Sequence, residues 1–277
     1  MTQIYELFRY DGRRVVVTGC ASGIGEHVAR QLTDLGAELV GVDVRRPALQ
    51  LKEFHEVDLG DAASIDRAVA AIDGPVDALF NIAGVSSGIG DPLRVVTINF
   101  LGTRRFTEAL VPKMPPGSAI ANVSSLAASG YRENAAVTAG LLSTESMAEG
   151  VEWCERNPQP VADGGGYRLS KEAIILYGMA NVAALGAKGI RINCTAPGVT
   201  DTPILDQLRT AYGPEFLDSF RTPLGRAAEP DEQASVLVFL NSRAASYITG
   251  QVIWVDGGTI GETDLAGSVP RRSSGGE

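Results

Sequence analysis

The sequence predicts a doubly wound α/β fold, in which one parallel sheet carries helices on both faces. Short β-branched, apolar runs alternate with amphipathic stretches along most of the chain. The runs are apolar at successive positions, as strands buried on both faces must be. A chain of 277 residues also lies near the upper limit for a single core, which predicts one domain over 1–262.

The elements follow in order. RRVVVTG (13–19) is the first strand, and IGEHVARQLTDL (24–35) has helical spacing with Gly36 placed to end it. AELVGVD (37–43) is the second strand, and His55 lies in a polar stretch entering the third. DAASIDRAVAAI (61–72) reads as a helix with an acidic start, and DALFNIAG (77–84) as a strand. A helix over roughly 92–112 leads to the strand SAIANVSS (118–125). After a long interruption come a helix from about 167 to 186, the strand IRINCTAP (190–197), a helix over 230–241 and the strand QVIWVDGG (251–258). The Gly/Ser-rich end, 263–277, reads as a disordered tail.

Composition removes several function classes. A net charge of −9 argues against nucleic acid or an anionic membrane as partner, since both require excess Lys and Arg. Cys20, Cys154 and Cys194 are scattered with no CxxC pair, which suits buried thiols in a reducing compartment. With His27 and His55 the only histidines, neither a structural zinc site nor a Ser-His-Asp hydrolase is expected. The start carries no long apolar segment, and no run reaches the ~20 residues of a membrane span, so a cytoplasmic location is expected. The chemistry must use something other than imidazole.

Three features supply it. Gly19, Gly23 and Gly25 lie between the first strand and the first helix, where glycine lets a pyrophosphate approach the helix N-terminus. This makes the fold Rossmann-type, although the spacing is GxxxGxG and not GxGxxG. Asp43 closes the second strand, where a carboxylate accepts hydrogen bonds from an adenosine ribose and repels a 2′-phosphate. That predicts NAD over NADP, with Arg45 and Arg46 as the opposing signal. Finally, Tyr167 and Lys171 stand four residues apart, on one face of a helix. An ammonium beside a phenol favours phenolate, and an oxidised nicotinamide adds to that pull; about 4 kcal/mol lowers the pKa by roughly three units.

With these residues in place the sequence resembles the short-chain dehydrogenase/reductase family over about residues 12–260. The matching pieces are TGCASGIG from Thr18, Asp58-Leu59, NIAG from Asn81, Asn99, NVSS from Asn122, YRLSK from Tyr167 and PGVTDTP from Pro197. NIAG departs from the two adjacent asparagines of many members, with Ile82 in the second place. The resemblance implies that Tyr167 is the acid/base, Lys171 holds the nicotinamide ribose, Ser125 binds the substrate oxygen and Asn99 holds a water in a proton relay. It also implies that Gly19, Ser22, Gly23, Ile24, Gly25 and Asp43 hold the adenosine diphosphate, with Asp58 and Leu59 at the adenine. Asn81, Ala83 and Gly84 would then meet the ribose region, and Pro197, Gly198, Thr200 and Thr202 the nicotinamide end.

The spacing between Ser125 and Tyr167 is the unusual part, since 126–166 far exceeds the dozen or so residues of many members. Apolar residues at 137, 141, 148, 151 and 154 predict a helix over about 135–157, stopped by Asn157-Pro158. Leu141, Leu142, Met147 and Trp153 would roof a substrate pocket. The insertion is also placed to replace a dimerising helix face, or to be a decoration. Its position, with EGVEW and FNIAGV, is similar to the subgroup of coniferyl-alcohol dehydrogenases; GRAAEP and FLNSRAASYITG are similar to bacterial 3α-hydroxysteroid dehydrogenase/carbonyl reductases. The resemblance implies an NAD-dependent enzyme for a bulky apolar alcohol, a homodimer or homotetramer, with no metal. A non-catalytic NAD-binding sensor is the reading from another class, and the intact set Asn99, Ser125, Tyr167 and Lys171 counts against it.

Overall fold

Val15, Val16 and Val17 leave opposite faces of the first strand, β1 (Arg14–Thr18), yet all three are fully buried. Both faces are therefore covered. The computed structural model describes residues 3–213 and 222–265. The remaining strands are β2 (Glu38–Asp43), β3 (Glu53–Glu56), β4 (Ala78–Asn81), β5 (Ala119–Val123), β6 (Arg191–Pro197) and β7 (Val252–Val255). They form one sheet in the order β3-β2-β1-β4-β5-β6-β7, with every neighbouring pair parallel. In register, Val16 lies between Val40 and Leu79.

The helices are α1 (Gly23–Asp34), α2 (Ala62–Ala71), α3 (Pro92–Val96) and α4 (Thr103–Leu110), then α5 (Ala135–Leu142), α6 (Met147–Arg156) and α7 (Pro158–Ala162). They continue with α8 (Tyr167–Ala180), α9 (Val182–Gly186), α10 (Pro203–Tyr212), α11 (Pro230–Asn241) and α12 (Thr259–Leu265). Val16, Leu79, Ile120 and Ile192 pack toward α2, α4 and α8, while Val15, Val17, Phe80 and Ala121 pack toward α1 and α11. Alternation along each strand thus feeds two separate cores.

Some boundaries differ from the sequence reading. The expected helix over 92–112 contains a π-helical stretch, Thr97–Gly102, between α3 and α4. The expected helix over 135–157 is two helices. The polar run 143–146 breaks it, Ser146 accepts from the Glu149 N–H at 3.2 Å to start α6, and Arg104 donates to the Thr144 and Ser146 carbonyls at 2.8 and 3.1 Å. Asn157-Pro158 ends α6 as expected. Helix α12 carries the chain past 262 to Leu265, and the rest of the expected tail lies outside the described residues.

Candidate active site

The strand order reverses at β1, which has β2 on one side and β4 on the other. A ligand crevice forms beyond the carboxyl ends of strands at such a point. Here it is a cleft of about 1350 Å³. Gly19, Ser22, Gly23, Ile24, Gly25, Asp43, Asp58 and Leu59 line one end, and Ala83 and Gly84 the middle. Ser125, Tyr167, Lys171, Pro197, Gly198, Thr200 and Thr202 line the rest.

The nucleotide end is built mainly from backbone. A Cβ on Gly25 would lie 2.0 Å from the Gly19 carbonyl oxygen, so only glycine lets α1 start this close to β1. Ser22 precedes α1 without using its side chain as a cap, which leaves the first-turn N–H groups and the positive end of the dipole for an anion. The Asp43 carboxylate accepts from the Ala21 N–H at 2.9 Å and from the Arg45 N–H at 3.1 Å, fixing it between β2 and the glycine loop. Arg45 lines the cleft, whereas Arg46 stacks on the Phe54 ring at 4.9 Å. Asp58 is paired to Arg94 at 2.6 Å. A cradle that a methyl group would fill, facing a helix N-terminus and a fixed carboxylate, fits an adenosine diphosphate moiety.

The other end rests on α8. Gly164, Gly165 and Gly166 all have positive φ (+63°, +61° and +78°), and a Cβ on Gly166 would sit 2.2 Å from the Pro92 carbonyl oxygen. That left-handed elbow starts α8 at Tyr167. Ser125, whose Oγ accepts from the Ala127 N–H at 3.2 Å, stands within reach of the Tyr167 phenol, and Lys171 Nζ lies 5.5 Å from the centre of the Tyr167 ring. Lys171 is buried and donates to the Val123 carbonyl at 3.0 Å. Burial pushes the Tyr167 phenol above the ordinary tyrosine value, with the Ser125 bond opposing it. Burial also brings Lys171 down to about 8. The sequence reading expected Lys171 to lower the Tyr167 pKa; in the protein alone desolvation wins at both groups.

Comparison with known proteins agrees with this geometry. A family model described as short chain dehydrogenase matches residues 13–140, and one described as enoyl-(acyl carrier protein) reductase matches 158–259. A coniferyl-alcohol dehydrogenase from Pseudomonas sp. (strain HR199 / DSM 7063) is 36% identical over 247 residues, covering 89% of this chain and 96% of that protein. The chain belongs to the short-chain dehydrogenase/reductase family. A 3-alpha-hydroxysteroid dehydrogenase/carbonyl reductase from Comamonas testosteroni is 32% identical over 88% of this chain and 95% of its own length. Among solved structures, the 3-alpha-hydroxysteroid dehydrogenase from Pseudomonas sp. B-0831 complexed with NADH superposes with a TM-score of 0.77. It is 30% identical, over 94% of this chain and all of that one.

Against this family background, the structure places two sets of side chains, Asn81 and the expected roof, elsewhere. Asn81 does not line the cleft: it is buried and donates to Thr107 Oγ1 and Asn122 Oδ1, both at 2.8 Å, so it ties β4 to β5 and α4. The Asn99 side chain sits directly behind the cleft lining. It accepts from the Val85 N–H at 2.8 Å and donates to the Val85 carbonyl at 2.9 Å, and an added Cβ on cleft-lining Gly84 would lie 3.1 Å from its Oδ1 and 3.5 Å from Lys171 Nζ. Lastly, the four apolar residues of the insertion expected as a roof do not form one. Leu141 and Met147 are buried in the core, Leu142 and Trp153 pack against it, and none lines the cleft. The apolar wall comes instead from α10, through Ile204, Leu205 and Leu208, and from Ile260. Helical spacing shows that a face is buried, not what it is buried against.

Sequence reasoning missed two supports. Thr18 Oγ1 accepts from the Ile82 and Ala83 N–H groups at 3.0 and 3.1 Å, tying β1 to the turn after β4. Ser170 accepts from Asn99 Nδ2 at 3.2 Å. Both residues fall inside recognised motifs, but nothing in the spacing reveals a partner dozens of residues away. No helix among the described residues is long and apolar enough to cross a membrane.

Proposed function

We propose that the protein is an NAD-dependent dehydrogenase that interconverts a bulky, largely apolar alcohol, such as an aryl-allylic alcohol of the coniferyl type, with its aldehyde. The observation that carries the reading is the convergence of Ser125, Tyr167 and Lys171 in the same cleft as the glycine loop and Asp43. When bound, a nicotinamide dinucleotide supplies the hydride acceptor. Gly19 to Gly25, Asp43, Asp58, Ala83, Gly84 and the Pro197–Thr202 turn would hold it.

The chain's own residues do the rest. Ser125 donates to the alcohol oxygen and keeps it beside the Tyr167 phenol, which takes the hydroxyl proton as the base. Lys171, one helical turn on, stabilises the phenolate that this requires. Burial opposes the charged forms of both Tyr167 and Lys171, and an oxidised nicotinamide in the cleft would favour the phenolate. Ile204, Leu205, Leu208 and Ile260 exclude water and hold the apolar body. The second reading is a hydroxysteroid or terpenoid alcohol; the two hydroxysteroid dehydrogenases support the steroid, and the same wall suits a fused-ring skeleton.

Absorbance of NADH over aryl-allylic, steroid and terpene alcohols tests this. Turnover of the aryl-allylic members is expected, preference for a steroid favours the second reading, and no turnover of any alcohol favours a non-catalytic sensor. The cofactor assignment has its own test. Asp43→Ala removes the carboxylate that opposes a 2′-phosphate and leaves Arg45 beside it, so the NAD-over-NADP ratio of kcat/KM should fall roughly tenfold or more. An unchanged ratio refutes the role given to Asp43.

A further inference from the structure

The insertion meets the cleft with Leu126 and Ala127 at its start and with polar groups beyond them. Ser129, Gly130, Glu133, Gly164 and Gly165 line the cleft next to Arg168 of α8, while Leu141, Met147, Cys154 and Val161 lie in the core. The charge of this wall is one-sided. Arg168 pairs with Asp163 at 2.5 Å and with Glu172 at 3.1 Å, so its guanidinium is already held by two carboxyl groups. Glu172 is fully buried and also accepts from Asn134 Nδ2 at 2.7 Å, which locks the start of the insertion to α8. Arg132, the nearest other cation in sequence, turns onto the Tyr131 ring at 4.6 Å. Glu133 has no ion-pair or hydrogen-bond partner among the described residues. Arg168 is therefore matched by two carboxyl groups behind the cleft lining, and Glu133 on the lining is left uncommitted.

Its location ties it to the substrate end. An added Cβ at Gly130 would lie 3.7 Å from Glu172 Oε1 and 4.0 Å from Glu133 Oε2, so both carboxyl groups flank the same cleft-lining glycine. Glu172 belongs to the second turn of α8, the helix that begins at Tyr167.

We propose that Glu133 sets substrate choice. The preferred alcohol is neutral, carries a hydrogen-bond donor at the end remote from its carbinol, and donates it to the Glu133 carboxylate. Alcohols with an anionic group at that end, such as carboxylates, phosphates and acyl-thioester carriers, are rejected. This rests on the dehydrogenase reading above. An uncommitted carboxylate gains a charge-assisted hydrogen bond from a phenol or hydroxyl, while it repels an anion at the same place.

The test compares native protein with Glu133→Gln on cinnamyl alcohol, 4-hydroxycinnamyl alcohol and 4-carboxycinnamyl alcohol, following NADH. Glutamine keeps the size and the accepting oxygen but removes the charge, and Glu133 is exposed, so folding is not at stake. The native protein should favour the 4-hydroxy compound over the unsubstituted one and reject the carboxylate. In Glu133→Gln the preference for the 4-hydroxy compound should fall roughly tenfold and the penalty on the carboxylate should shrink by a similar factor, both in KM with kcat little changed. Equal ratios in the two proteins overturn the proposal and leave the dehydrogenase reading standing. If native protein turns over none of the three, the proposal falls together with the aryl-allylic reading, while turnover of a steroid or terpene alcohol would keep the dehydrogenase reading.

Discussion

The glycine-rich crossover from β1 to β2 and the segment from Ser125 to Ala180 meet at one cleft and work in opposite ways. The first works through missing atoms: Gly25 has no Cβ, and backbone N–H groups face the cleft. The second works through a few side chains, each held by a support of its own. Tyr167 needs the left-handed elbow at 164–166, Lys171 needs the Val123 carbonyl, and the insertion needs Arg104 at its break. A site made of backbone costs little stability and shows in the sequence as glycine spacing. A site made of buried polar side chains is expensive, and its supports lie far away in sequence.

The sharpest way to break this comparison is Tyr167→Phe. If the two regions are separable, removing one hydroxyl should lower kcat/KM for the alcohol by about 10³-fold while NADH binding, read by fluorescence titration, stays within a factor of two. Loss of nucleotide binding would show that the phenol also builds the nucleotide end. Retained turnover would remove Tyr167 as the base.

Leu141→Ala comes next and probes the insertion alone. Leu141 is fully buried and belongs to the main core cluster, so truncation should cost about 3 kcal/mol of unfolding free energy in urea. The ratio of kcat/KM among aryl-allylic, steroid and terpene alcohols should not change. A changed ratio with intact stability would return Leu141 to the roof that the structure denies it.

That outcome also marks how far the sequence could be read. The sheet, its strand sequence and most helix ends were legible because they follow from local pattern: β-branched runs, helical spacing and a proline or glycine at the stops. So were the glycine loop and the Tyr/Lys pair, because glycines at a strand–helix turn and two residues at helical spacing are local as well. What was not legible depends on distant partners. Asn81 reads like a cofactor residue until Thr107 and Asn122 claim its amide. The stretch 135–157 reads as one helix until the polar residues at its centre find Arg104. Trp153 reads as a roof until its ring is found against Gly140, where an added Cβ would lie 2.8 Å from Nε1.

The smallest expected effect tests whether the side-chain region is costly. Lys171 is buried, and burial brings its pKa from 10.5 down to about 8. Below pH 8 it is charged in both the folded and unfolded chain, and the fold bears the full desolvation penalty, about 3 kcal/mol. Between pH 8 and 10.5 the unfolded chain binds more protons, so this penalty fades as pH rises; above 10.5 it is gone. Lys171→Met removes the penalty but leaves the Val123 carbonyl without its donor, which offsets about 1 kcal/mol. Without nucleotide, the variant should therefore be about 2 kcal/mol more stable than native protein in urea at pH 7. The gap should close by pH 10 and reverse slightly beyond it. Comparing the two proteins at each pH cancels the alkaline loss they share from buried groups that Lys171 does not touch, such as Cys20 and Cys154, pushed up by burial to about 12 and about 11. A variant no more stable than native at pH 7 would mean that the ammonium is already compensated in the empty cleft, and the contrast between the two regions would lose its energetic basis.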